Sequence, residues 1–204
     1  MIELHNDSRY LTPYVISKCF IKGKTNHVDK VICGNGFSTS FLNLEPPKDK
    51  INILIAPNRA VIIGKERQHI VNSQIKETIP TKFFYKGSQD YNIEDAQILC
   101  FVSDSFLQYK SQIEKIKDKV NFILIDEYHS TIIQSTFRKK LVNLIDEVRF
   151  IVGGEVGITT VTATPLLFSK IDIRIKTHER FIKPIDINIT NDEVNAVNLS
   201  LIHI

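Results

Sequence analysis

Phe122-Ile123-Leu124-Ile125-Asp126-Glu127-Tyr128-His129-Ser130 decides how the rest of the chain is read. Residues 121–125 supply an almost unbroken apolar run, the pattern of a strand buried on both faces of a parallel sheet. Two carboxylates follow at once, then Tyr128 and His129. Acids at the carboxyl end of such a strand stand where open α/β sheets bind ligands. There Asp126 is suited to hold a Mg²⁺ ion, and Glu127 to orient or deprotonate a water. The same letters also describe a strand that runs out into a solvated acidic turn, so the neighbouring stretches must decide.

Downstream, residues 131–148 read as a helix with Ile133, Phe137, Leu141, Leu144, Ile145 and Val148 on one face and Arg138-Lys139-Lys140 partly on the other. Ile151-Val152-Gly153-Gly154 reads as a turn. Ile158-Thr159-Thr160-Val161-Thr162-Ala163-Thr164-Pro165 is a β-branched strand with a polar end. Two alternating segments, residues 171–175 and 185–189, then read as strands with one solvent face.

Upstream, residues 96–102 form another apolar strand, and Ser103-Asp104-Ser105 caps a helix running towards Lys119. Ile51–Ala56 is a second strand of the buried type, ended by Pro57-Asn58-Arg59 and followed by a helix over about residues 59–71. Residues 82–85 are a possible strand in an otherwise ambiguous stretch. Residues 8–21 read as a helix that Ser8 could cap, with Pro13 near its first turn. Gly23-Lys24-Thr25 spells the tail of a phosphate-binding loop, but no β-run precedes it and no apolar helix follows.

Residues 30–33 are a short strand candidate, and Gly34-Asn35-Gly36-Phe37-Ser38-Thr39 follows in the right order: strand, glycine-rich turn, possible short helix. Glycines let a backbone approach phosphates closely, and a helix start offers free N–H groups. Ser38 or Thr39 could supply a hydroxyl to Mg²⁺. A plain tight turn fits the same letters. The regular exchange of buried strands and helices predicts one α/β domain with a mostly parallel central sheet flanked by helices.

Composition sets the outer bounds. The chain has 204 residues, room for one domain or one domain with an appendage, and its 43% apolar and 24% charged content is ordinary for a soluble globular protein. A net charge of +3 and a pI of about 8.7 are compatible with a phosphate-rich partner without demanding one. Cys19, Cys33 and Cys100 are far apart, without a CxxC pair, and fit thiols in a reducing, cytoplasmic compartment better than disulfides or zinc ligands. The histidines form no HExxH-like pattern. No apolar run approaches the roughly 18 residues of a membrane span, and residues 1–7 lack the apolar core of a signal peptide.

Three stretches then matter together: Gly34-Asn35-Gly36-Phe37-Ser38-Thr39, Asp126-Glu127-Tyr128-His129 and Thr162-Ala163-Thr164-Pro165. In order, spacing and strand-end context they resemble motifs I, II and III of superfamily 2 helicases, in the DExH branch. The resemblance is to the first RecA-like domain of that family, a P-loop NTPase fold, and covers roughly residues 30–165. Residues 1–29 are then an N-terminal helix and lead-in, and residues 166–204 a strand extension or the start of a second half. Asp-Glu-Tyr-His followed by Thr-Ala-Thr-Pro about 35 residues later is its most specific part, because both follow apolar strands.

The resemblance implies ATP and Mg²⁺ as ligands. Gly34, Asn35 and Gly36 would wrap the β-phosphate, with Phe37 and Thr39 in the same loop. Ser38 would occupy the Mg²⁺-hydroxyl position and Asp126 would bind Mg²⁺ through water. Glu127 would activate the attacking water, and His129 would sense the γ-phosphate state. Thr162 and Thr164 would couple the two sites. Arg59, in a stretch similar to motif Ia, and Ser103, at the end of a later strand, would contact the backbone of DNA or RNA; their plainer roles are a surface arginine and a helix cap.

Two features depart from the pattern. Phe37 stands where the family has a lysine that neutralises β- and γ-phosphate charge. A charge-assisted hydrogen bond contributes roughly 1.5–3 kcal/mol, so its loss corresponds to about 10- to 150-fold in nucleotide binding. Lys24 or Lys30 is a candidate substitute. Further, fewer than 40 residues follow Pro165, whereas a working motor needs a second RecA-like domain, from the same longer chain or from a partner protein. The expectations are therefore an ATP-dependent helicase or translocase motor domain, a pseudo-helicase that binds nucleic acid or assembles without turnover, or another P-loop ATPase such as a packaging motor.

Overall fold

The structure is a computed structural model that describes residues 1–88, 92–93, 95–134, 141, 143–165 and 170–177. Eight strands form one sheet: β1 (Ile2–Asn6), β2 (Thr25–Asp29), β3 (Ile51–Ala56), β4 (Thr81–Phe84), β5 (Ile98–Val102), β6 (Val120–Asp126), β7 (Gly157–Thr162) and β8 (Ile173–Thr177). Their spatial order is β1-β8-β2-β7-β6-β3-β5-β4, and every pairing is parallel.

The expected unbroken apolar strands lie centrally. β3 and β5 are buried along their whole length, as is β7. Alternate residues of one strand serve opposite faces. Leu54 and Leu124 join Ile16, Phe37, Phe41 and Ile62 on one side, beneath α1 (Pro13–Ser17), α2 (Phe37–Phe41) and α3 (Arg59–Ser73). Ile53 and Ile123 join Phe106, Ile113 and Val148 on the other, beneath α4 (Ser103–Gln108), α5 (Lys110–Lys115) and α7 (Leu144–Val152). α6 (Tyr128–Gln134) follows β6 directly. Among the described residues no helix is long and apolar enough to cross a membrane.

Several local expectations are corrected. The helix expected over 8–21 is only Pro13–Ser17; Thr12, not Ser8, caps it by accepting from the Val15 N–H at 3.3 Å, with Pro13 in the first turn. The strand expected over 30–33 lies earlier in the chain, at Thr25–Asp29, so Lys30 stands just past its carboxyl end. The helix expected to run from Ser103 to Lys119 breaks at Tyr109 into α4 and α5, then a 3₁₀ turn at Lys117–Lys119. The helix expected over 131–148 is two: α6 starts at Tyr128, and α7 runs through Ile151-Val152, where a turn was expected. Gly153, at φ +83°, ends α7. Phe137, Arg138-Lys139-Lys140 and residues 185–189 lie outside the described residues. The sheet extends past residues 30–165 on both sides, because β1, β2 and β8 belong to it.

Candidate functional site

Because the strands are parallel, the chain leaves β2, β7 and β6 at one rim of the sheet, and these three are neighbours. β6 ends in buried Asp126. Glu127 follows at φ +46°, a left-handed conformation unusual for a non-glycine residue. Its N–H donates to Asp126 Oδ1 at 3.0 Å, and its carbonyl accepts from the Ser130 N–H at 2.8 Å as α6 begins.

The loop after β2 is built around the Lys30 backbone. The Lys30 N–H donates to the Thr162 carbonyl at the end of β7 (2.8 Å). The Lys30 carbonyl accepts from the Ile32 N–H (2.6 Å) and the buried Asn35 amide (3.1 Å). Asn35 Oδ1 accepts in turn from the Phe37 N–H at 3.3 Å. Gly34 and Gly36 turn the chain at φ +73° and +82°. Across the rim, the Ser38 hydroxyl donates to Asp126 Oδ2. Thr39 Oγ1 accepts from Lys65 Nζ of α3 at 2.8 Å.

Phe37 contributes only backbone here: its ring is 1% exposed and packs in the core with Phe41. The cation paired with the two acids is Lys30. Its Nζ lies 2.5 Å from Glu127 Oε1 and 3.7 Å from Asp126 Oδ1, with the side chain 6% exposed. Burial alone would push this amine down, but the adjoining Asp126 and Glu127 charges outweigh it and hold Lys30 above the usual lysine value. Lys65 is shifted the other way, chiefly by burial.

His129 ties the acids to β7. Its Nδ1 is 2.7 Å from Thr162 Oγ1 and 3.3 Å from Glu127 Oε2, and Nε2 is 3.2 Å from Ser130 Oγ. Thr162 Oγ1 also accepts from the Thr164 N–H at 3.0 Å. Thus residues 34–38, 126–129 and 162–164 meet at one rim. Arg59 and Ser103 follow β3 and β5, farther along the same rim. The Arg59 guanidinium lies over the Tyr85 ring, 5.4 Å from its centroid. Ser103 is buried, and its hydroxyl donates to the Ala56 carbonyl at 3.0 Å.

The donors at the Ser38–Asp126 contact are all oxygens, the chemistry Mg²⁺ prefers. Among the described residues no group of three or more His, Cys, Asp or Glu could hold a metal.

Sequence reasoning missed the positions of Lys65 and Tyr10. The Tyr10 ring is exposed, carries the Arg9 guanidinium 5.3 Å from its centroid, and lies 3.6 Å from where a side chain on Gly36 would begin. Nothing local in the sequence pairs residue 10 with residue 36. For Phe37 a signal existed: Phe37 and Phe41 are four apart, the spacing of one helical face.

No protein-family model matches the sequence, and no curated protein is significantly similar to it. Solved structures are. A DEAD box protein from the hyperthermophile Methanococcus jannaschii superposes with a TM-score of 0.55 at 16% identity, over 77% of this chain and 46% of its own. Saccharomyces cerevisiae Dbp5, in a complex with Gle1 and IP6, gives 0.58 at 14% identity, over 80% and 45%. Mycobacterium smegmatis helicase Lhr, bound to single-stranded DNA and AMP-PNP, gives 0.51 at 14% identity, over 94% and 30%. The fold is therefore the RecA-like α/β domain of helicase-type proteins. The chain spans less than half the length of each of these structures.

Proposed function

We propose that the chain is the first RecA-like half of a DExH-type, ATP-driven helicase or translocase acting on DNA or RNA. The observation that carries this reading is the contact between the Ser38 hydroxyl and the Asp126 carboxylate. Eighty-eight positions apart, they bring a glycine-rich turn and a strand-end acid pair together. In this reading the backbone of residues 34–36, with Thr39 beside it, receives the phosphates. Ser38 and Asp126 hold Mg²⁺, which when bound would screen phosphate charge. Glu127 orients the attacking water and accepts its proton. His129, Thr162 and Thr164 link that carboxylate to β7 and so carry the nucleotide state to the strand-binding side. Arg59 is the candidate backbone contact there, with Ser103 holding the adjoining turn. The exposed Tyr10 ring offers a stacking face beside the loop. A second RecA-like domain, in a longer chain or in a partner protein, completes the site.

The test is Mg²⁺-dependent ATP binding by calorimetry, followed by turnover in the presence of the second half and single-stranded DNA or RNA. Glu127→Gln should lower turnover at least about 100-fold, the scale of losing a general base, while nucleotide binding persists. Unchanged turnover would remove Glu127 from the mechanism. Phe37 in the core favours one other reading, a nucleic-acid-binding or assembly module without turnover. That reading predicts salt-sensitive binding and no hydrolysis with the second half present.

A further inference from the structure

We propose that Lys30, at the carboxyl end of β2, is the cation that neutralises the nucleotide's terminal phosphates, the task Phe37 cannot perform from the loop. The inference rests on the nucleotide reading of the rim and adds to it the residue that reading lacks.

Position 37 faces away. Its ring belongs to the hydrophobic cluster with Phe41, so a charge there would enter the core. Lys30 and Ser38 instead engage the two oxygens of one carboxylate: Lys30 Nζ lies 3.7 Å from Asp126 Oδ1, and Ser38 Oγ donates to Oδ2. The amine and the proposed metal-binding hydroxyl therefore share one carboxylate. The loop holds Lys30 from behind, since Asn35, between the two left-handed glycines, donates to its carbonyl. Val31 reverses the chain at φ +59°, costly for a β-branched residue, and Asp29 Oδ1 pins it by accepting its N–H at 2.9 Å. This turn directs the backbone into the loop immediately after Lys30 and leaves the four-carbon side chain at the acids.

Among the described residues, neither of the other candidate cations makes an ion pair with Asp126 or Glu127. Lys24 precedes β2, six residues from Lys30 and about 20 Å away at ~3.3 Å per strand residue. Lys65 is nearer: its Nζ is held on Thr39 at 2.8 Å, close enough to feel the charges of Asp126 and Lys30, and the comparison of Lys65→Met with Lys30→Met decides between the two amines.

A consequence concerns Glu127. Lys30 Nζ lies 2.5 Å from Glu127 Oε1. Phosphate oxygens that draw Lys30 away would release that carboxylate to work on water. One side chain thus serves as the latch on the base and as the phosphate cation.

The experiment measures ATP·Mg²⁺ and AMP affinity by calorimetry on the 204-residue chain, with thermal melts of each variant. Lys30→Met should weaken ATP binding about 10- to 150-fold, the loss expected for one charge-assisted hydrogen bond, and leave AMP binding within twofold. Lys30→Arg should recover part of the loss. Glu127→Gln, which frees the amine, should tighten ATP binding. Lys30→Met/Glu127→Gln removes both partners and leaves no unpaired charge at that pair, so it keeps the test open if Lys30→Met alone does not fold. It should bind ATP as weakly as Lys30→Met. ATP binding by the double variant at the wild-type level would mean that Lys30 only balances Glu127, and would overturn the inference. So would a Lys30→Met variant that binds ATP normally, or a loss of binding in Lys65→Met larger than in Lys30→Met. Failure of the wild-type chain to bind ATP at all is a different result, and would remove the nucleotide reading itself.

Discussion

The turn leaving β2 and the turn leaving β6 flank the end of β7, and they present their charges by opposite means. After β6 the two carboxylates are consecutive residues. Asp126 ends the strand, and Glu127 occupies a left-handed conformation that carries its side chain to Lys30 and His129. After β2 the loop itself is uncharged between Cys33 and Thr39; it offers backbone N–H groups and the Ser38 hydroxyl, and the cation stands four residues before Gly34. In the first turn function lies in side chains, and the backbone bears strain to place them. In the second the loop offers backbone, and the charge stands ahead of it at Lys30. On the proposed reading, a phosphate-binding loop is separable into a shape and a cation, and the two need not come from the same five residues.

The largest expected effect tests that separation at Phe37. The ring is 1% exposed among Phe41 and Leu54. Phe37→Ala should cost about 3–5 kcal/mol of folding stability, the range for deleting a buried aromatic ring. Phe37→Lys should cost more, because the ammonium has no partner in that cluster. Chemical denaturation measures both. A folded Phe37→Lys variant that also gains ATP affinity would mean that this position can reach the rim, and the contrast between the two turns would fail.

The same contrast explains what the sequence disclosed. Ile51–Ala56 and Val120–Asp126 were legible because central parallel strands must be apolar on both faces, and that demand is local. β1 (Ile-Glu-Leu-His-Asn) was not, because an edge strand only five residues long and largely exposed carries little pattern. β2 (Thr-Asn-His-Val-Asp) takes its strand character from pairing with β7 and β8 on either side, whereas the more apolar Val31-Ile32-Cys33 beside it belongs to the turn. The sequence offered Lys24 and Lys30 alike as candidate cations, and that displacement, which puts Lys30 just past the tip of β2 rather than at the start of a strand, is what separates them. That the acids, the serine hydroxyl and Thr162 would meet at one rim was legible from their strand-end placement. Lys30 and Glu127 are 97 positions apart, and only the sheet order brings them together.

A smaller effect sharpens the comparison through the backbone alone. Gly36 and Glu127 both have positive φ, at +82° and +46°. Space is not the constraint at Gly36, since the nearest atom to an added side chain is Tyr10 Cδ1 at 3.6 Å, an ordinary contact. The cost of Gly36→Ala is therefore conformational, roughly 1–2 kcal/mol. The midpoint of urea unfolding should fall accordingly, with the slope unchanged. A variant as stable as wild type would show that the loop can relax out of the left-handed geometry, and that its shape is not fixed independently of its charge.

The smallest effect distinguishes the β2 side by pH. His27 lies within β2, its Nδ1 2.7 Å from Thr160 Oγ1 of β7, while its backbone N–H donates to Asp172 at 3.0 Å. Burial pushes the imidazole below its usual value; Asp172 opposes this and Lys170 adds to it. His69 on α3 is lowered by burial as well. A histidine whose folded value is depressed is neutral in both states above about pH 6.5, the ordinary value. As the pH falls through that point the unfolded chain takes up the proton first, so it binds more protons than the folded one and stability declines. Stability should therefore be fully present near pH 7.5 and fall progressively towards pH 5.5. His27→Gln should make that slope shallower, and a second change at His69 should flatten it further. Denaturation midpoints across that window measure the slope. A slope of the opposite sign would mean that Asp172 outweighs burial at His27, and that the strand beneath Lys30 is set by charge after all, as the turn after β6 is.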